Sequence, residues 1–318
     1  MKKYLVVIIA LSLLPGISLA REAGHYVPGI ISIRDLALPG PEAAGFYYEQ
    51  YNAFYSVDTY RNRDGDSIDS LSVGPLTIDV EPDIDVAVVN PVFLWVTDKE
   101  IWGGNYAFFV APTVVKSSLG ASLSALNRDI EFDDDTTGIG DTLVQPFWLG
   151  WRDASYDLSL GLGIYLPTGE FDEGGDDNLG LGFWTVQVQA AGYYYFDELK
   201  ASALMGAITY ETHGEQEDTD ITPGDHVALE IGFSQYLSER LEVGLHAFKQ
   251  WQTEGDDGDA ILDGSVKPEV YGLGIQVAYW VTPRLNLSFK YIEERDAEAR
   301  FEGEWTVLNL LYLPGPLF

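Results

Sequence analysis

The chain has 318 residues, 50 of them acidic and 18 basic, with a formal net charge of −32 at pH 7. It therefore lacks the basic footprint that nucleic acid requires. Without cysteine, disulfides, zinc–thiolate centres and cysteine nucleophiles are excluded, and a 13% aromatic, 46% hydrophobic content sets it apart from disordered acidic chains.

Residues 1–20 read as an export signal. Lys2 and Lys3 give a positive start, Leu5 to Leu14 an apolar run, Pro15 and Gly16 a break, and Ser18 and Ala20 a small-residue cleavage pattern. The run is too short for a membrane-spanning helix. Residues 21–42, with Pro28, Pro39, Gly40 and Pro41, read as a periplasmic lead-in. Residues 43–318 then form one unit.

From residue 43 the chain alternates between aromatic, β-branched stretches and polar connectors. Twelve stretches are predicted as strands: 43–58, 84–97, 103–116, 139–152, 155–167, 180–196, 199–212, 225–238, 241–253, 269–282, 285–295 and 302–313. Period two is clearest in 155–167, where Tyr156, Leu158, Leu160, Leu162 and Ile164 oppose Asp157, Ser159, Gly161, Gly163 and Tyr165. Stretches 84–97, 103–116, 139–152 and 302–313 alternate less cleanly, and their facing stays open. Short connectors alternate with long ones, the long ones at 59–83, 117–138, 168–179, 213–224, 254–268 and 296–301. Windows 129–135, 170–177, 211–225 and 254–263 hold 21 of the 50 carboxylates and no Lys or Arg. The pattern predicts an all-β fold, a transmembrane antiparallel β-barrel of about 12 strands with short periplasmic turns and long acidic extracellular loops. Trp95, Trp102, Trp151, Tyr193 to Phe196, Tyr236 and Trp251 near strand ends predict aromatic girdles. Such a barrel sits in the bacterial outer membrane, against its lipid and lipopolysaccharide.

Two segments carry a family resemblance, "GIGDTLVQPFWLGW" at 138–151 and "GLGIYLPTGEFDEGGDDNLGLGFWT" at 161–185. Their Gly-x-Gly-Asp strand start, Leu-Pro-Thr-Gly exit and Asn-Leu-Gly return resemble the outer-membrane family labelled MetA-pathway of phenol degradation. The resemblance implies a transporter of small hydrophobic or aromatic solutes, folded by the barrel-assembly machinery. That machinery usually reads a C-terminal aromatic. Here Pro314, Gly315 and Pro316 precede Phe318, so the last strand is expected to end at Tyr312 or Leu313.

Parity nominates a polar lumen of Asp157, Gln187, Gln189, Glu230, Ser234, Glu242, His246, Gln250, Gln276, Asn286, Lys290 and Glu294. With four acids against Lys290 and acidic windows at one mouth, an open pore is expected to prefer cations. Oxygen-rich loops could hold Ca²⁺ or Mg²⁺ through Asp172, Glu173, Asp176, Asp177, Asp256, Asp257 and Asp259, but no stretch has the spaced calcium-loop pattern, and solvated loops are the simpler reading. No histidine is accompanied by a nucleophile motif, so an enzyme is not expected. The expected function is passive uptake of small hydrophobic or aromatic compounds. The alternative is a structural or adhesive barrel whose acidic loops bind divalent cations or a partner.

Overall fold

The computed structural model describes residues 24–73, 76–125, 128–173, 178–258, 261 and 264–313; the export signal at 1–20 and the tail at 314–318 lie outside them. After a 3₁₀ turn at Pro41–Ala43 come β1 (Gly45–Arg61), β2 (Ser70–Val73), β3 (Leu76–Ile101), β4 (Gly104–Ala111) and β5 (Val114–Ala125). There follow β6 (Arg128–Ile139), β7 (Thr142–Arg152), β8 (Tyr156–Leu166), β9 (Thr185–Tyr195) and β10 (Ser202–His213). The chain ends with β11 (His226–Tyr236), β12 (Leu241–Gln252), β13 (Glu269–Thr282), β14 (Leu285–Glu298) and β15 (Arg300–Tyr312).

Twelve of these, β1, β3, β4 and β7 to β15, close into an antiparallel barrel. Closure is made by β1, which pairs with β15 from Tyr48↔Tyr312 to Arg61↔Arg300 and with β3 from Gly45↔Val96 to Val57↔Ile84. No sheet edge is left in the ring, which is the condition for crossing lipid with strands. The twelve strands correspond to the twelve sequence stretches. The last ends at Tyr312, where the Leu313 amide donates to the Arg284 carbonyl (2.8 Å).

Turns at one end are tight. Between β3 and β4, Trp102 and Gly103 have φ of 53° and 75°, the two positive values a primed hairpin turn requires. At the other end the connectors differ from expectation in three places, the first being 59–83, which holds the end of β1, all of β2 and the start of β3. The 117–138 connector is largely hairpin β5–β6, which continues β4 and β7 beyond breaks at Pro112 and Gly140–Asp141 and pairs with the first half of β3. At 296–301 the strands run on to a turn at Ala299 (φ 55°). Beyond the bilayer both sheet faces meet water, so charge no longer opposes strand pairing and the ladder persists through acidic sequence.

The outward face is apolar, with Phe93, Trp95, Leu162, Ile208, Ile231, Leu245, Leu273, Ile275 and Phe289 each 40% or more exposed. Trp102, Tyr194 and Phe196 form part of a girdle at the short-turn end (54–79% exposed). Tyr193 and Tyr195 do not: they are buried on the inward face of β9, because a period-two strand sends alternate aromatics to opposite sides.

Residues 24–43, expected as a lead-in outside the barrel, run through its interior. His25 lies beside Asp141 and Thr185 at the long-loop end, and the Pro39 carbonyl beside Asn105 at the short-turn end. A closed barrel with a packed interior is expected to fractionate with the outer membrane and to migrate faster in SDS gels unheated than boiled; soluble protein without that mobility shift contradicts the fold.

Candidate functional site

The internal segment, here called the plug, has no repeating hydrogen-bond pattern. It carries Pro28, Gly29, Pro39, Gly40 and Pro41, and forms no helix or strand before the 3₁₀ turn. Its backbone groups must therefore find partners on the barrel wall. They do so mostly on β10 to β14. The Tyr26 amide donates to Glu211 (3.0 Å), that of Gly29 to Glu230 (2.9 Å) and that of Ile33 to Gln276 (2.9 Å). The Tyr26 carbonyl accepts from Gln250 (2.8 Å), that of Ile31 from Lys290 (2.7 Å) and that of Pro39 from Asn105 (2.8 Å). Ile33 is fully buried, and a side chain on Gly244 would come within 2.4 Å of its Cδ1, so β12 needs glycine there.

Arg34 is the plug's main ionic anchor. Its guanidinium donates to Ser234 (2.8 Å), Glu242 (3.0 Å) and the carbonyls of Lys200 and Ala201 (2.8 and 3.0 Å), and stacks 4.8 Å from the Tyr236 ring centre. Glu230 accepts from the Tyr26 hydroxyl and lies 3.0 Å from His246. Glu294 accepts from Tyr55 (2.7 Å) and pairs with Arg300 (3.4 Å), while Asp157 takes Lys200 and Tyr195 (both 2.7 Å). Of the twelve residues nominated by parity, eleven are buried inside the barrel, and Asn286 is half-buried. The four acids counted as pore charge are thus engaged by cations and hydroxyls rather than facing a water column.

At the long-loop end three of the four histidines meet. His25 contacts Asp141 (2.9 Å) and Thr185 (2.7 Å), Thr185 contacts His213 (2.7 Å), and His213 contacts His226 (2.9 Å). Asp141 also accepts from the amides of Gly169 (3.0 Å) and Leu181 (2.8 Å), tying plug, rim and loop together. Burial raises the Asp141 carboxyl, but the bond to His25 and the two backbone amides outweigh it and hold the group below the usual carboxylate value.

The acidic loops do not assemble a metal centre among the described residues, where no group of three or more His, Cys, Asp or Glu could hold an ion. Asp256 accepts from Gly224 (3.0 Å) and Gln252 (2.6 Å), and Asp257 from the Gly258 amide. The Asp172 backbone bonds the Asn178 side chain, and Glu173 lies in a turn. Asp176, Asp177 and Asp259 lie outside the described residues.

Opposite the hydrogen-bonded side, plug and wall enclose a cavity of about 660 Å³. Its lining reaches from Thr113, Val115 and Leu181 near the long-loop end to Tyr47, Trp280 and Leu313 near the short-turn end. Between these the wall is Ala53, Val88, Val92, Leu94, Phe109, Ala111, Leu143 and Trp148, from β1, β3, β4 and β7. Sequence parity missed this wall because β3, β4 and β7 are apolar on both faces, so no polar marker distinguishes inside from outside. The bulge between Val144 and Phe147 further breaks the period in β7.

Residues 58–310 match the family described as "Putative MetA-pathway of phenol degradation". The chain belongs to this family. Among solved structures it is similar to the COG4313 outer membrane channel from Pseudomonas putida F1, at 15% identity and a TM-score of 0.65, over 91% of this chain and 99% of that one. A looser likeness, at 8% identity and a TM-score of 0.47, is to the CymD monoaromatic hydrocarbon channel, over 97% of this chain and 100% of that one. A Pseudomonas aeruginosa FadL homologue matches at 10% identity and a TM-score of 0.38, over 84% of this chain and 89% of that one. No curated protein sequence matches. The fold is therefore that of a bacterial outer-membrane β-barrel, and the Pseudomonas putida structure that shares it is described as an outer membrane channel.

Two outcomes follow from the anchors. Arg34→Ala leaves Glu242 buried without its cation, a loss of about 3–5 kcal/mol for such a pair; the expected result is a lower unfolding temperature and a larger single-channel conductance as the plug loosens. The Asp141 carboxyl, held below its ordinary value, stabilises the tether at neutral pH, and that contribution is lost as pH falls through the lowered folded-state value, below the ordinary carboxylate range. Conductance recorded from pH 7 to pH 3 is expected to rise at the acid end in the family member itself and to lose that acid step in Asp141→Asn.

Proposed function

We propose that this protein is an outer-membrane channel for the passive uptake of small hydrophobic or aromatic compounds. Its short turns face the periplasm and its acidic loops face the lipopolysaccharide outside. The single observation that carries this reading is the apolar cavity running along the barrel between plug and wall. Its volume lies within the range of small-molecule sites, roughly 300–1,000 Å³, and its aliphatic and aromatic wall suits an apolar solute. Water-filled porins instead have polar interiors. The family's description, which refers to phenol degradation, agrees in chemical class. No covalent step is needed for such a role, so the protein is read as a conduit rather than an enzyme, inserted by the barrel-assembly machinery.

The plug assigns ionic groups to structural work, so cation preference should arise at the acidic mouth and not in the lumen. Charge at a mouth concentrates counter-ions and is screened beyond about 10 Å at 0.1 M salt. Reversal potentials in a planar bilayer are expected to show weak cation preference at low salt that fades as salt rises; anion preference contradicts it.

The uptake reading is tested by filling the cavity. Ala53 and Ala111 face it and are almost fully buried. Ala111→Trp is expected to leave the heat-modifiable barrel intact and to cut growth on aromatic and alkane carbon sources about as far as deletion of the gene. Unchanged uptake in the deletion strain, with surface attachment lost, would favour a structural or adhesive barrel instead.

A further inference from the structure

Several polar side chains line the cavity, among them Glu49, Asn90, Asp141 and Gln189, and two glutamines stand next to its apolar wall. Gln145 on β7 and Gln187 on β9 both line the cavity, and both are about 3% exposed. Among the described residues Gln187 Oε1 is a fully buried acceptor without a hydrogen-bond partner. Between them runs β8, which presents no inward side chain at Gly161 or Gly163. A carbon added to Gly161 would lie 2.8 Å from Gln145 Nε2. One added to Gly163 would lie 3.5 Å from Gln145 Oε1 and 3.8 Å from Gln187 Cβ. The two glutamines therefore converge over one glycine floor. Gln145 is aimed there by a β-bulge, since pairing of β7 shifts register between Val144 and Phe147, next to Pro146, which has no amide hydrogen to give the ladder.

The contrast with the neighbouring residues is informative. Gln189, one inward position along β9, donates to Thr209 (3.0 Å), and Gln250 and Gln276 are both bonded to the plug. A buried acceptor without a partner destabilises a fold, so Gln187 Oε1, on the strand next to the glycine floor that Gln145 overhangs, calls for a donor that completes it.

We infer that Gln145 and Gln187 form a subsite for the hydroxyl group of a small neutral solute whose apolar frame rests against Leu143, Phe109 and Trp148. Two primary amides offer donors and acceptors together, in whichever way each is turned. A hydroxyl both donates and accepts, and so satisfies them. A pure hydrocarbon leaves Gln187 Oε1 unpaired. A carboxylate would lose its hydration in an apolar chamber without a cation at this station. The inference rests on the channel reading and adds to it the solute class that the lumen selects: alcohols and phenols over the parent hydrocarbons and the acids.

The test compares benzyl alcohol, toluene and benzoate by calorimetric titration of the detergent-solubilised protein, unaltered and as Gln145→Leu/Gln187→Leu. The expected result is that the double variant binds benzyl alcohol about fivefold more weakly, the worth of one neutral hydrogen bond, while toluene binds as well or better and benzoate binds to neither protein. The gel-mobility shift reports whether the variant barrel has folded. Should it not, Gln187→Met alone, which keeps length and loses the acceptor, is expected to weaken benzyl alcohol by about twofold or more with toluene unaffected. An unchanged ratio of the two affinities in a folded variant overturns the subsite and leaves the channel standing. Absence of binding by all three solutes to the unaltered protein overturns the channel reading and the subsite with it.

Discussion

A segment of irregular backbone inside a closed barrel must find a partner for its buried amides and carbonyls, and it supplies only a few of them itself, such as the Asp35 and Ala37 amides to the Ser32 and Arg34 carbonyls. Twenty residues of this chain, 24–43, are in that position, with prolines and glycines that prevent a helix or a strand. The wall answers with side chains. Glu211, Glu230, Gln250, Gln276 and Lys290 take up backbone groups of the plug one by one, and Arg34 returns a charge to Glu242. The polar residues of β10 to β14 substitute for the ladder that the plug lacks.

That requirement divides the lumen. Polar side chains gather where the plug is bound, and the remaining wall, from β1, β3, β4 and β7, is free to be apolar. The plug is thereby held to one side and a cavity is left on the other. Carboxylates that would make a water-filled pore strongly cation-selective are consumed in pairing, since a buried acid without a partner costs several kcal/mol, roughly. Glu211 illustrates the change of role: it opens the acidic window 211–225 at the end of a predicted strand, yet is 1% exposed and accepts from Tyr26.

Outside, the constraint is closure. β1 pairs with both β3 and β15, so the ring has no edge facing lipid, and its outward positions are free to carry Leu, Ile, Val and aromatics. Above the ring the demand for apolar outward faces ends. There β5 and β6 continue as a hairpin through sequence rich in aspartate, and β14 and β15 run on beyond their last mutual pair, Glu293↔Glu304, by pairing with β13 and β1.

The sequence by itself determined the barrel, its twelve strands and the end of the last at Tyr312, because lipid imposes a period of two and a minimum strand length that composition cannot hide. It also marked Gln187, Glu230, Ser234, Glu242, His246 and Gln276, whose polar side chains stand against apolar neighbours in cleanly alternating strands. It was silent where both strand faces are apolar, as at Val88, Val92 and Ala111, and where a bulge breaks the period, as at Gln145. It placed 24–43 outside, since a segment without periodicity carries no sign of the surface that will supply its hydrogen bonds. Those partners lie 180 to 260 residues away, at Glu211, Glu230, Gln276 and Lys290. Only the closed barrel brings them within 3.0 Å of the plug, and so only the tertiary structure decided that the lumen is half filled and half apolar.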